Sequence, residues 1–229
     1  MVTWFKSRQT LRGFWDRIWL ALVWRYATHS LMILVTLLTE RIPAPHLSDR
    51  LLEIVPYLSA VSRYNFHLWI LCYVPVALWL WRADRDRFVN FLYLGGVLSL
   101  LRGLCVAATS LGPVRGADVN AGLPLGDIIP TWIAILNPVS ALMDAVPNLY
   151  LKKDLFFSGH TASTFLLWLY CRRYPRLSTV ALVAHIAVVI VVFLSHIHYT
   201  IDVIGAWAIT YTVYSLTEAR GIFERRRRH

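Results

Sequence analysis

The chain has 229 residues, 57 % of them apolar and 16 % charged, with a formal net charge of +10. A soluble domain averages about 25 % charged and 45–50 % apolar, so the excess of apolar surface excludes disorder. Apolar runs of bilayer length exclude a soluble globule: residues 177–201 carry no Asp, Glu, Lys or Arg over 25 positions, and residues 64–81 none over 18, where one spanning helix needs about 20 mostly apolar residues. The expected fold is all-α: a polytopic helical bundle in a membrane, with Arg and Lys flanking spans and no nucleic-acid partner.

In chain order, residues 1–17 come first. Trp4, Phe5, Leu11 and Trp15 interleave there with Lys6, Arg8, Arg12 and Arg17, the mixture of an interfacial amphipathic segment. No small-residue cleavage site marks it as a signal peptide. Six spans follow at about 18–39, 66–81, 88–111, 155–174, 177–195 and 198–217, and Pro75 is a candidate kink in the second. Together they make one catalytic domain, 18–217, followed by a basic tail, 218–229. Cys72, Cys105 and Cys171 have neither zinc nor disulfide spacing and read as packing residues; no metal site is implied.

Six spans place both termini on one side, and the basic residues say which. With cytoplasmic termini, the inner side holds Lys6, Arg8, Arg12, Arg17, Arg82, Arg85, Arg87, Arg172, Arg173, Arg176, Arg220 and the four of 225–228, fifteen in all. The outer side holds Arg41, Arg50, Arg63, Arg115, Lys152 and Lys153, which is six. The charge-free stretch 128–143 complicates this count. If it crossed, the balance would become nine inside to twelve outside. With Pro130, Asn137 and Pro138 inside it, it reads as a folded or re-entrant part of a long external loop, 112–153.

Two short segments carry chemistry: Asp154-Leu-Phe-Phe-Ser158-Gly159-His160-Thr161 and His196-Ile-His198-Tyr199-Thr200-Ile-Asp202-Val. Both fall at the outer ends of spans, the fourth and the sixth. His198 and Asp202 are four apart and would share a helix face. A carboxylate there takes one imidazole proton and leaves the other nitrogen free as a nucleophile; the plainer alternative is a structural His–Asp pair. Ser158 is a candidate N-cap, Gly159 allows close approach of a ligand, and a helix start there suits a phosphate. His160 in the first turn is placed to donate a proton to a leaving oxygen. Arg102, in mid-span, carries a charge that costs about 3 kcal/mol on insertion scales, so it should face the bundle and pair with Asp202, Asp154 or a substrate phosphate. Tyr199 and Thr200 are candidates to line the site. His29, His67 and His185 read as satisfied bundle residues.

SGHT followed by HYTIDV resembles the sphingomyelin synthase family, a branch of the type-2 phosphatidic acid phosphatase superfamily. The resemblance extends to LRGLC around Arg102 and to TSLGP at Thr109–Pro113, covering about half the chain. It implies that His198 is the nucleophile that takes the phosphoryl group, that Asp202 orients and charges it, and that His160 protonates the leaving alcohol. It also implies six spans with cytosolic termini and an extracytoplasmic site. Departures surround the head-group region: Ile197 stands where the animal synthases usually have Glu, Lys152-Lys153 where they have Cys-Gly, and Trp207 where they have Tyr. Phe157 and Val192 replace the Pro and Arg of the wider phosphatase superfamily, which points to the synthase branch.

The expected activity is therefore that of a membrane enzyme acting on a phospholipid donor, with a lipid alcohol (ceramide or diacylglycerol) or water as acceptor and no cofactor. A lipid phosphate phosphatase is the alternative within the class. A transporter or a haem-binding protein is the alternative outside it, but the paired histidines lie at span ends and only Pro75 suggests a broken helix.

Overall fold

The computed structural model describes residues 2–137 and 151–219, with side chains from Trp15 onward. These residues form eight α-helices and no strand: α1 Val2–Glu40, α2 Arg50–Ile54, α3 Ser59–Ala83, α4 Arg85–Thr109, α5 Ile128–Leu136, α6 Gly159–Cys171, α7 Pro175–Leu194 and α8 Thr200–Ala219. The all-α expectation holds. Four stretches, Trp15–Glu40, Ser59–Ala83, Arg85–Thr109 and Pro175–Leu194, are long and apolar enough to cross a membrane. Their outward faces carry exposed Trp19, Val23, Leu71, Val183 and Ile190, surface that hydrocarbon accepts and water does not. The chain is an integral membrane protein.

Long-range contacts fix the direction of each long helix. Trp24 of α1 donates to the Tyr93 carbonyl and Met32 lies against Arg102, so α1 and α4 run parallel. The Leu58 amide donates to Leu194 O, which joins the start of α3 to the end of α7. Ser158 meets Asp202, and Tyr170 meets Tyr214, so α6 and α8 run parallel and begin at the same end. Taken in sequence, α1, α3, α4, α6, α7 and α8 alternate in direction. The core lies between α4, α6 and the inner faces of α1, α3 and α7, around Phe91, Leu98, Phe157, Leu166, Leu167 and Tyr170. The end opposite the Ser158–Asp202 contact holds Arg17 against Asp86, and Arg87 and Tyr174 against Asp84.

Several elements depart from their expected limits. The second predicted span starts earlier, at Ser59, because the Leu58–Leu194 hydrogen bond organises its first turn, and it continues through Pro75. The fourth is shorter. Residues 155–157 are not helical, and α6 begins only where Ser158 caps it, its side chain accepting the Thr161 amide. At 13 residues α6 is about 20 Å long, against a hydrocarbon thickness of about 30 Å. His198 lies two residues ahead of α8, whose first turn contains Asp202. The segment 1–17 passes into the first span without a break in α1. Of the charge-free stretch 128–143, α5 is a short apolar helix docked on α1: Ile128 packs with Met32, Ile33 and Leu37, and Trp132 donates to the Ser30 carbonyl. Residues 138–150 and the tail from 220 lie outside the described residues.

Candidate active site

Asp202 is fully buried and its carboxylate gathers three donors. Oδ2 accepts the Tyr199 amide at 2.9 Å and faces His198 Nδ1 at 3.3 Å, and Oδ1 accepts the Phe156 amide at 3.2 Å. Its own carbonyl accepts the Ser158 amide at 3.0 Å. One residue therefore sets the ring of His198 and ties the segment before α6 to the start of α8. Facing a carboxylate, Nδ1 carries the imidazole proton, and Nε2 has no hydrogen-bond partner among the described residues. His198 is 3 % exposed, so its orientation is locked by packing as well.

His160, in the first turn of α6, brings its ring to 6.2 Å from that of His198, centroid to centroid. Its other face meets the indole of Trp69 edge-on at 5.5 Å. Trp69 is held in turn by a hydrogen bond from Nε1 to Ser163 Oγ and by stacking on Tyr73 and Phe66. The backbone of His160 is pinned as well. Its carbonyl accepts Thr164 Oγ1, which meets His185 Nδ1, while His185 Nε2 accepts Trp207 Nε1 at 2.9 Å. His185 is thus a satisfied bundle residue, and Trp207 belongs to the same polar chain.

Arg102 finds its partner in Asp154, at 2.9 Å from Nη2. Nη2 also donates to the Asp154 carbonyl, Nε to the Phe157 carbonyl and Nη1 to the Met32 sulfur. The guanidinium lies directly under Gly159: a Cβ there would sit 3.0 Å from its Cζ. That close approach, made to a protein side chain, explains the glycine. All three nitrogens are engaged by the protein, so Arg102 shapes the 154–159 segment instead of presenting a free fork to solvent.

Of the expected site residues, His160, His198, Asp202, Arg102, Asp154, Ser158 and Gly159 converge. Ser158 serves as the helix cap. Tyr199 points elsewhere: its hydroxyl donates to the Gly112 and Pro113 carbonyls and accepts the Leu47 amide, so it staples two loops together. Thr200 is occupied by Asp49, which caps α2 and accepts both the amide and the hydroxyl of Thr200. Burial raises the Asp49 carboxyl pKa, but the hydrogen bonds from Thr200, Leu52 and Leu51 outweigh it and hold it below its usual value. The i,i+4 pairing of His198 with Asp202 is present, although a helix does not create it.

The sequence reading missed a second polar cluster. Glu40, the last residue of α1, is fully buried. It accepts Asn120 Nδ2 at 2.9 Å and the Lys153 amide. Lys153, 4 % exposed, donates through Nζ to the Ile42 carbonyl and to Asp118. These bonds anchor the chain one residue before Asp154. The available signal was an acid ending a long apolar run and a lysine abutting the motif.

Comparison with known proteins agrees with the motifs. Residues 153–219 match the PAP2 superfamily C-terminal family model. The chain is 30 % identical over 226 residues to the phosphatidylcholine:ceramide cholinephosphotransferase 2 of Rattus norvegicus, an alignment covering 89 % of this chain and 60 % of that protein. It is 29 % identical to the Homo sapiens protein of the same name and 30 % to that of Mus musculus, each over 207 residues, 81 % of this chain and 55 % of theirs. The chain thus spans 55–60 % of the length of these relatives. The resemblance to the sphingomyelin synthase family is shown.

Proposed function

We propose that the protein is a lipid phosphotransferase that moves the phospho-head-group of a phospholipid to a lipid alcohol such as ceramide, or to water, through a phosphohistidine. The carrying observation is the arrangement of His198: Nδ1 on the Asp202 carboxylate, Nε2 unpartnered among the described residues, and the His160 ring 6.2 Å away. Nε2 attacks phosphorus, and the bond from phosphorus to the diacylglycerol oxygen breaks. His160 gives its proton to that oxygen and diacylglycerol departs. The acceptor hydroxyl then attacks phosphorus, its proton passes to His160 and the bond to His198 breaks. Asp202 stabilises the ring while it carries positive charge. Arg102 and Asp154 hold the 154–159 segment in place, and the amides at the start of α6 face the phosphoryl oxygens. The relatives' name, a transfer from phosphatidylcholine to ceramide, supports this choice of donor and acceptor classes.

The decisive measurement incubates purified protein with defined phospholipids, with and without ceramide, and follows the lipids by mass spectrometry. The expected result is diacylglycerol together with a head-group-bearing ceramide, and slower head-group release when ceramide is absent. Turnover of phosphatidic acid alone would favour a lipid phosphate phosphatase.

Six crossings with both termini cytoplasmic and the site on the extracytoplasmic face complete the reading, with 18–217 as the catalytic domain, 112–153 an external loop, 1–17 interfacial and 218–229 a basic tail. The alternation of helix directions supports it, as does the basic cluster at the end opposite the site. An impermeant thiol reagent should label a cysteine placed at Gly116 in intact cells and one placed at Arg85 only after permeabilisation. The reverse pattern would turn the site inward.

A further inference from the structure

Arg25 lies in the first span, ten residues from Trp15 and fifteen from Glu40, about 15 Å and 22 Å along the helix. Its Nη1 donates to Ser99 Oγ of α4 at 2.6 Å. The guanidinium rests over Gly95, where a Cβ would sit 3.1 Å from Nε. Among the described residues no carboxylate lies within ion-pair distance of it, and the hydrogen bond to Ser99 is its only one. A guanidinium carries five N–H donors, so most of those of half-buried Arg25 have no protein partner among the described residues, at a depth where an unmatched charge is costly and marks function. Arg102, three residues further along α4, shows the contrast: every one of its nitrogens has a protein partner.

α1 and α3 both pack on α4, α1 more extensively. Tyr73 of α3 lies close to Arg25 of α1. Tyr73 stacks on Trp69 of the same helix at 4.8 Å, and Trp69 touches the ring of His160 at 5.5 Å. A lipid whose phosphorus is met by His198 and His160 has its glycerol esters just deeper in the bilayer. Ser99, the partner of Arg25, lies about 4.5 Å deeper along α4 than Arg102.

We infer that the phospholipid donor enters sideways between α1 and α3 and that the free N–H groups of Arg25 donate to its ester carbonyl oxygens. The inference rests on the function proposed above and adds the part of the lipid that is recognised. It is tested by binding, independently of turnover. Short-chain diacyl and dialkyl-ether phosphatidylcholines differ only in those carbonyls, and their affinities for the full chain are measured in detergent by equilibrium dialysis. The diacyl lipid should bind about tenfold more tightly. Arg25→Met should bring the ratio close to one, and Arg25→Lys should retain part of it. Equal affinities for the unaltered protein, or a ratio that survives Arg25→Met, would overturn the inference. If Arg25→Met does not fold, the comparison in the unaltered protein still decides. Selective binding of the diacyl lipid without any head-group transfer or release would leave the Arg25 site standing and remove the proposed reaction.

Discussion

Replacing His198 by alanine is expected to abolish both head-group transfer and head-group release, because among the described residues no other imidazole in the site has a carboxylate on one nitrogen and the other nitrogen free. Asp202→Asn should lower the rate by about 10³–10⁴-fold, since an amide favours the wrong tautomer and cannot stabilise a cationic ring. It should also lower stability by about 1–3 kcal/mol. One carboxylate here accepts the Tyr199 and Phe156 amides as well as facing His198, and an amide must turn its NH₂ towards one of them. His160→Ala should be severe with phospholipids, whose alkoxide leaves poorly, and milder with an aryl phosphodiester, whose phenolate needs no proton. Kinetics on the two substrate classes separate the roles. Rescue of His198→Ala by the aryl substrate would exchange the two assignments. Full turnover in both well-folded variants would end the enzymatic reading.

Arg102→Lys is expected to be nearly as damaging, at about 100-fold or more in rate, with a loss of about 2–3 kcal/mol in stability. The guanidinium sends three nitrogens to Asp154, the Phe157 carbonyl and Met32 while lying flat beneath Gly159. A lysine ammonium reaches one of these positions and leaves a buried carbonyl unpaired. The segment carrying Ser158 and His160 should then loosen, so activity and melting temperature in detergent should fall together. Loss of activity with an unchanged melting temperature would instead show that Arg102 acts on substrate directly. Retention of both would remove it from the site.

The chemistry-bearing residues were legible because their signals are local. SGHT marks a capped helix start, and the His198–Asp202 spacing marks a pair, whatever backbone delivers it. An arginine in mid-span demands an anion, and Asp154 was among the three candidates. The length of the fourth span was not legible, because hydropathy cannot tell an apolar non-helical segment such as Leu155–Phe157 from a helical one. What holds that segment open is Asp202, more than 40 residues away. The same reason hid Glu40, Asn120 and Lys153, whose contacts join parts of the chain 80 and 113 positions apart. Tyr199 was misplaced because a phenol beside a candidate catalytic histidine looks like a ligand group, while its distance from the loops that use its hydroxyl leaves no trace in the sequence.

The shortness of α6 bears on the work of reaching a lipid. Its first residue, Gly159, lies against Arg102, and seven more residues of α4, about 10 Å, continue beyond that level to Thr109. A water-soluble enzyme that cleaves a phospholipid must lift it towards itself, and each methylene drawn from hydrocarbon into water costs about 0.8 kcal/mol. A helix that starts low would carry the imidazole of His160 down towards the phosphorus of the proposed substrate, so the acyl chains need not rise. Water and the polar head group must then travel the remaining distance. Lys153 and Asp154 on the descending segment, with Glu40 at the end of α1 beside it, make that stretch of the protein polar where the neighbouring helices are oily.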